Sequence, residues 1–154
     1  MTEEIVKFGD KTYQFIWIPG GDIPQEGVSQ VSGYVFNQNK DLLIVKNKNW
    51  TIPGGHPEEG EGYIETLKRE VMEESMIEVN SIKYLGCVKV LDLQTGKVNY
   101  QLRFTALVFC IHDFEKKFET SERLFIKPEK LTDYIPWASG KVFSKEVESA
   151  IASI

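Results

Sequence analysis

Cysteine is scarce in this sequence, which holds only Cys87 and Cys110 among its 154 residues. Both lie in strand-like apolar runs, so we interpret them as small buried hydrophobic side chains rather than as a disulfide or a metal-binding pair. The longest apolar run, residues 105–111, is far shorter than the roughly 20 residues that a membrane-spanning helix needs. The N-terminus has no basic segment followed by an apolar stretch, so we expect no secretory signal, no membrane association and a cytoplasmic location.

Positive charge is also in short supply, since the chain carries a formal net charge of −5 at pH 7. This balance argues against a broad basic face, and hence against a nucleic-acid polymer as partner. The negative charge is concentrated between His56 and Glu78, where eight glutamates outnumber two basic residues and give −6, while the rest of the chain sums to about +1. A solvated acidic helix face is the ordinary explanation of such a cluster, and a cation held among the carboxylates is the alternative.

The order of the predicted secondary-structure elements indicates the fold class. Alternating or β-branched runs predict strands over residues 12–18, 28–36, 42–46, 82–93, 98–111 and 124–126, and helical spacing predicts helices over about 61–75 and 142–151. No repeat, low-complexity tract or linker divides the chain, so we expect a single domain over residues 1–154. Strands interleaved with helices predict an α/β (α+β) fold, in which a mixed β-sheet packs between helices on both faces.

Three glutamates share one face of the first predicted helix. At about 100° per residue around the helix axis, Glu73 lies about −60° and Glu74 about +40° from Glu70. They lie beside an apolar stripe that we expect to face the core: Ile64, Leu67 and Val71. Like charges at this spacing destabilise a helix, and a position at the rim of the buried face adds a desolvation cost. A divalent cation offsets both costs. Magnesium prefers such oxygen ligands, and the glycine-rich loop before the helix offers the Gly54 carbonyl as a further candidate.

A longer pattern of fixed residues surrounds these glutamates and spans residues 55–77. The pattern begins with Gly55, five spacers, Glu61 and seven spacers. It continues with Arg69-Glu70, the aliphatic Val71, one spacer, Glu73-Glu74, two spacers and the aliphatic Ile77. This pattern resembles the Nudix box, with eight of nine fixed positions matched over 23 residues. Residues 50–55 are similar to the family's usual lead-in, whereas Met76 stands where the box has its second glycine. The resemblance implies a Nudix-like mixed β-sheet sandwiched between helices.

The resemblance also implies an activity and a cofactor. It points to a Nudix-type pyrophosphohydrolase, in which metal-activated water hydrolyses a diphosphate linkage in a nucleotide or nucleoside-diphosphate derivative. The implied cofactor is Mg²⁺, with Mn²⁺ as an alternative, held mainly by Glu70 and Glu74 with Glu73 as a third ligand or an aid to a second ion. Arg69 resembles a residue that orients a carboxylate, and Glu61 is expected to pair with it. The implied catalytic residues are therefore Glu70, Glu73, Glu74, Arg69 and Glu61.

The general base and the substrate contacts are indicated less sharply. A box glutamate or an acid of a later loop, Glu119 or Glu122, is a candidate general base. His56 follows the metal loop and is a candidate substrate contact, whereas His112 ends a strand and is interpreted as structural. The predicted strands offer substrate-binding candidates that would stack on a base or hold a phosphate, or else simply fill the core: Arg103, Trp17, Tyr34 and Tyr100.

Met76 leaves a second function open. The glycine that it replaces follows the helix end, where a left-handed backbone is often required, and methionine in that conformation costs roughly 1–2 kcal/mol. We expect the upstream Glu70 and Glu74 to keep their geometry, but a catalytically weak or silent Nudix-fold nucleotide sensor is the alternative. A structural calcium site is disfavoured because the Asp/Asn-rich loop of an EF-hand is missing. The expected partner is a small nucleoside diphosphate-type substrate, and pairing of the aromatic strand over residues 12–18 across a homodimer is left open.

Overall fold

Nine β-strands and three α-helices make up the computed structural model, which describes residues 1–115 and 120–154. The strands are β1 Thr2–Phe8, β2 Lys11–Pro19, β3 Val28–Phe36, β4 Leu42–Asn47, β5 Asn49–Thr51, β6 Gly54–Gly55, β7 Ile77–Asp92, β8 Val98–Ile111 and β9 Glu122–Ile126. The helices are α1 Tyr63–Ser75, α2 Leu131–Tyr134 and α3 Lys141–Ala152, with short 3-10 helices at Pro128–Lys130 and Pro136–Ser139. Each predicted element is present, and the largest shift in a boundary is the start of β7 at Ile77 instead of residue 82.

The strands form one mixed sheet in the order β1-β2-β7-β8-β3-β4-β5, with β6 beside β3 and β9 beside β4. β3 and β8 pair in parallel, whereas β3 and β4, like β7 and β8, pair antiparallel. Because side chains alternate across a strand, β3 contributes to two cores. Val31 packs with Leu67 of α1 on one face, and Tyr34 packs with Phe143 of α3 on the other. Helices therefore cover both faces of the mixed sheet, which confirms the predicted fold class.

The buried face of α1 differs from the predicted stripe at one position. Leu67 and Val71 are fully buried, as predicted, but Ile64 is 48% exposed. Thr66 is buried in the first turn instead, with its Oγ1 2.7 Å from Glu61 Oε1 and 3.1 Å from the Gly62 carbonyl oxygen. The prediction for Ile64 is wrong because burial is decided by the elements that a helix packs against, and not by the polarity of a side chain alone.

The N-terminal strands differ from the prediction in a second way. The strand β1 is not apparent from the residue pattern, because its side chains are half-buried or exposed and include Glu3, Glu4 and Lys7. β1 pairs with β2 along its whole length, and the other edge of β2 pairs with β7. Both edges of the aromatic strand over residues 12–18 are thus occupied within the chain, so this strand is not available to pair across a homodimer.

Cysteine placement and helix length bear on the remaining predictions about the chain. Cys87 is buried, as predicted, Cys110 is half-buried, and both thiols are free. None of the helices in the described ranges is long and apolar enough to cross a membrane. The assignment of residues 1–154 to a single domain stays a prediction.

Candidate functional site

Arg69 of α1 lies at the centre of a cluster of carboxylates. Its Nε donates to Glu61 Oε2 at 2.7 Å and its Nη2 to Glu61 Oε1 at 3.0 Å, which makes a bidentate pair. Its Nη1 donates to Glu70 Oε1 at 2.8 Å and, more weakly, to Glu73 Oε2 at 3.4 Å. The predicted pairing of Glu61 with Arg69 is therefore present in the structure, and it fixes one arginine against three glutamates of the box.

The glycine-rich loop before α1 contacts the same helix face. The backbone N–H of Gly54 donates to Glu74 Oε1 at 2.8 Å. At Gly55 a Cβ atom would overlap the carboxylate of Glu70, so only glycine allows the backbone and this side chain to approach so closely. The three glutamates that helical spacing placed on one face, Glu70, Glu73 and Glu74, thus meet this loop and Arg69 rather than bulk water.

The electrostatics of this cluster follow from its hydrogen bonds and burial. Hydrogen bonds from Arg69 and then Thr66 lower the pKa of Glu61 to about 2, and the hydrogen bond to Glu61 raises the pKa of Arg69. Burial raises the pKa of Glu70, although Arg69 opposes that shift. The charged forms of Glu61 and Arg69 therefore stabilise each other, whereas burial disfavours the charged form of Glu70.

The donor set fits a divalent cation. Glu70 and Glu73 are 15% and 32% exposed, so they are accessible from solvent and yet rigidly placed on a helix. Glu70 uses Oε1 to accept from Arg69, and its Oε2 makes no hydrogen bond among the described residues. Carboxylate oxygens on one helix face beside a glycine loop are the hard ligands that Mg²⁺ prefers, and a cation there offsets the mutual repulsion of these glutamates.

Met76 ends α1 in the left-handed conformation that its position in the box predicts. Its φ and ψ are 58° and 36°, and its N–H donates to the carbonyl of Met72 at 2.9 Å. The backbone therefore follows the path that a glycine would take at this helix end. The strained residue, Met76, follows the glutamates in the chain. Their contacts with Gly54 and Gly55 are present, as expected.

The structure does not support Trp17, Tyr34 and Arg103 as direct substrate contacts. Trp17 and Tyr34 are core residues, 2% and 0% exposed, so their rings are not accessible to a ligand. The guanidinium of Arg103 is buried and already pairs with Glu146, at 2.6 Å from Nε to Oε1. Half-buried Tyr100 packs against the core on the α1 side. The interpretation as core residues therefore holds for these rings, because strand alternation turns them towards packed helices and strands.

A cavity of about 620 Å³ lies on the α3 face of the sheet and is not predicted by the sequence. Its lining includes the polar side chains of Gln30, Ser32, Gln101 and Arg103, and aromatic walls that include Phe15, Trp137 and Phe143. Ser32 also lies directly against Gly54, where a Cβ would overlap its Oγ. The cavity therefore adjoins the loop that contacts Glu74, although the box glutamates do not line it. The polar residues occupy alternate positions of β3 and β8 and so lie on one face of each strand. Only the parallel pairing of the two strands places the two sets side by side.

The remaining candidate groups lie elsewhere or make other contacts. Glu122 is an exposed partner of Lys46 at 3.6 Å, and Glu119 lies outside the described residues, so the identity of the general base stays a prediction. His56 is exposed and its Nδ1 lies 2.9 Å from the Ser29 carbonyl oxygen. His112 Nε2 lies 2.9 Å from Glu78 Oε2, and this contact lowers the pKa of Glu78.

Comparison with known proteins gives a consistent result. The family model of the NUDIX domain matches residues 28–142. The structure is similar to that of the pyrophosphohydrolase BsRppH of Bacillus subtilis, with a TM-score of 0.77, 24% identity and coverage of 99% of this chain and 98% of that chain. It is also similar to a NUDIX hydrolase from Nitrosomonas europaea (TM-score 0.67, 17% identity, coverage 82% and 90%) and to a UDP-X diphosphatase (0.66, 16%, 86% and 66%). These likenesses establish the fold.

Proposed function

This chain belongs to the NUDIX domain family, and from this premise we propose that it is a pyrophosphohydrolase. It hydrolyses a diphosphate linkage in a nucleotide or nucleoside-diphosphate derivative, with Mg²⁺ held by Glu70, Glu73 and Glu74. One observation carries the proposal. The glutamates of one helix face converge with the loop Gly54–Gly55 around Arg69. Two structural relatives, a pyrophosphohydrolase and a UDP-X diphosphatase, are named for reactions of the same class.

Each group of the cluster has a distinct part in this proposal. Glu70, Glu73 and Glu74, with the Gly54 carbonyl as a further candidate, hold the cation. When bound, Mg²⁺ supplies a Lewis acid that lowers the pKa of water and neutralises phosphate oxygens. Without positive charge the acidic segment would repel an anionic substrate, so binding of the substrate depends on it. Mn²⁺ meets the same ligand preference and is expected to substitute.

Arg69 and Glu61 act as positioning residues. The bidentate pair locks the guanidinium, and the guanidinium then holds the Glu70 carboxylate through a single oxygen. Such second contacts orient a ligand and commonly change metal affinity or activity by about 10–100-fold. In the hydrolysis itself, water attacks one phosphorus, the P–O bond to the bridging oxygen breaks, and the bridging oxygen leaves with the other phosphoryl group.

A panel of diphosphate compounds, assayed for release of phosphate, pyrophosphate or nucleoside monophosphate, tests the proposal. We expect turnover with Mg²⁺ or Mn²⁺, no turnover with chelator, and a loss of at least about hundredfold in kcat/KM for Glu70→Gln and Glu74→Gln. Glu65→Gln is the matched control, because Glu65 is an exposed glutamate on the same helix.

Two results would contradict the proposal. A folded Glu70→Gln variant with wild-type turnover would remove this carboxylate from the reaction. Tight binding of diphosphate compounds without any product would indicate the silent nucleotide sensor instead. Circular dichroism of each variant establishes that it is folded, so that loss of activity is not confused with loss of structure.

A further inference from the structure

The cavity on the α3 face has walls and a floor of different chemistry. The walls are mainly apolar, and Trp137 and Phe143 meet there with ring centroids 4.5 Å apart. The floor carries the polar side chains of β3 and β8, of which Gln30 and Gln101 are neighbours in the parallel register. At about 620 Å³, the cavity lies within the range of roughly 300–1,000 Å³ found for small-molecule sites. Its volume and its aromatic walls suit an aromatic group.

Arg103 determines which atoms of the floor face the cavity. Its Nη1 donates to Gln30 Oε1 at 3.2 Å and its Nη2 donates to Gln101 Oε1 at 3.0 Å. A guanidinium has only donors, so each glutamine must turn its carbonyl oxygen to Arg103 and its NH₂ group away. Among the described residues neither carboxamide nitrogen has a hydrogen-bond partner, and neither is sealed from solvent. The carbonyl oxygens of the two glutamines are therefore engaged by Arg103, and the groups left for a ligand in the cavity are chiefly their N–H donors.

Glu146 keeps this floor uncharged as a whole. Its carboxylate, 1% exposed, pairs with Arg103 and accepts a hydrogen bond from Tyr34 at 3.0 Å. The positive charge of Arg103 is thus neutralised by the opposite charge of Glu146, and Glu4 at the wall adds negative charge. A cavity with this balance does not favour a phosphate or a carboxylate. It favours an uncharged group that carries hydrogen-bond acceptors.

We infer that this cavity binds the nucleobase of the diphosphate substrate and selects a base whose edge carries carbonyl acceptors over one that carries an exocyclic amino group. That the ligand is a nucleotide rests on the proposed function. An oxo-substituted base accepts from the two carboxamide groups, whereas an amino group turns a donor towards these donors and gives their N–H groups no acceptor. Ser32, which lines the cavity and touches Gly54, connects this base site to the loop of the proposed metal site.

Inosine and adenosine form a pair of probes that differ at one edge of the purine and carry no phosphate. At this edge inosine has a carbonyl oxygen beside N1–H, whereas adenosine has an NH₂ group beside an N1 acceptor. Their binding to the metal-free protein is measured by titration with NMR detection of the side-chain NH₂ signals. We expect inosine to bind at least about tenfold more tightly than adenosine, and we expect the Gln30 and Gln101 signals to shift. These signals are assigned by their disappearance in Gln30→Met and Gln101→Met.

The same variants test the cause of the selectivity. Methionine keeps the length of glutamine and removes the donors, so each variant is expected to reduce the inosine preference to less than about threefold. Gln38→Met, in the exposed turn after β3, is the control and keeps the preference. Equal binding of both nucleosides, tighter binding of adenosine, or no saturable binding of either up to its solubility limit overturns the inference.

Failure of this inference is distinguishable from failure of the proposed function. Nucleoside binding is measured without metal and without a phosphate to hydrolyse. A protein that prefers inosine but never turns over a diphosphate contradicts only the hydrolysis, and one that hydrolyses diphosphates of both base types equally contradicts only the base selectivity.

Discussion

Arg103 and Glu146 form a salt bridge of 2.6 Å across the α3 face of the sheet, although 43 positions separate them in the chain. Both side chains are almost fully buried, and Tyr34 adds its hydroxyl hydrogen bond to the same carboxylate. Burial of this network and the charge of Glu146 raise the pKa of Tyr34. Removal of one partner therefore leaves a charge in a site that is shielded from water.

Truncation of Glu146 tests the energetic weight of this pair. Glu146→Ala leaves Arg103 charged, buried and unpaired, so we expect it to lower the free energy of unfolding by about 3–5 kcal/mol. Urea denaturation followed by circular dichroism provides the measurement. Glu148→Ala, which breaks the exposed pair with Lys145, is the control and should change stability by less than about 1 kcal/mol. A similar small effect of Glu146→Ala would mean that the buried pair is dispensable.

Substitution of Gly55 tests the close approach of the loop to Glu70. The Cβ of Gly55→Ala overlaps the Glu70 carboxylate, so the side chain must move away from its position beside Arg69. We expect the Mg²⁺ concentration for half-maximal activity to rise by about tenfold or more, since ligand orientation is lost. Gly62→Ala is the matched control, because its nearest contact is the tip of the exposed Glu65 side chain at 3.1 Å. Equal effects of the two variants would argue against a specific role of Gly55.

Met76→Gly tests the strain at the end of α1. Glycine adopts φ of 58° without the Cβ clash that methionine carries there, so we expect the variant to be more stable by about 1 kcal/mol. Met76→Val, with a β-branched side chain at the same φ, should be less stable than the natural chain. Thermal unfolding measures both. Because the strain follows the glutamates, turnover by folded Met76→Gly should equal that of the natural chain, and a large rise in turnover would show that Met76 weakens the enzyme.

The Arg69–Glu61 pair is expected to act on activity through orientation. Arg69→Lys keeps the charge but cannot form the bidentate pair with Glu61. We expect a loss of about 10–100-fold in kcat/KM and weaker activation by Mg²⁺. Glu61→Gln should show the same pattern to a smaller degree, since the amide still reaches one guanidinium nitrogen. Lys68→Gln, at an exposed neighbouring position, is the control, and a matching loss there would indicate a general effect of charge.

Glu4 is expected to stabilise the start of α3. Its Oε2 accepts from the N–H of Lys141 at 3.0 Å, while Gly140, at the N-cap, has no side chain that caps the helix. An acid at this end also interacts favourably with the helix dipole. Glu4→Ala should therefore cost about 1 kcal/mol in urea denaturation, and Glu3→Ala on the exposed side of β1 is the control. No difference between the two would mean that water replaces the carboxylate.

Sequence alone determined the parts of this protein that depend on local geometry. The angle between successive residues of a helix is constant, so Glu70, Glu73 and Glu74 had to share a face wherever α1 packed. Helical spacing also predicted that Leu67 and Val71 are core residues, and alternating or β-branched runs predicted strands. The spacing of the box identified the family. The exposure of Ile64 and the strand β1 were not predicted. The burial of Ile64 depends on what covers the first turn of α1, and the side chains of β1 are half-buried or exposed and show no apolar run.

Only the tertiary structure decided which distant residues meet. From the sequence, Arg103 is a candidate phosphate contact, and its partner Glu146 is an unremarked acid on an amphipathic helix. Parallel pairing of β3 with β8 and packing of α3 on that face bring them together with Gln30 and Gln101. Such contacts depend on strand order and on which face a helix covers, and neither is encoded in the spacing of neighbouring residues. The cavity therefore belongs to the assembled fold, whereas the carboxylate face belongs to one helix.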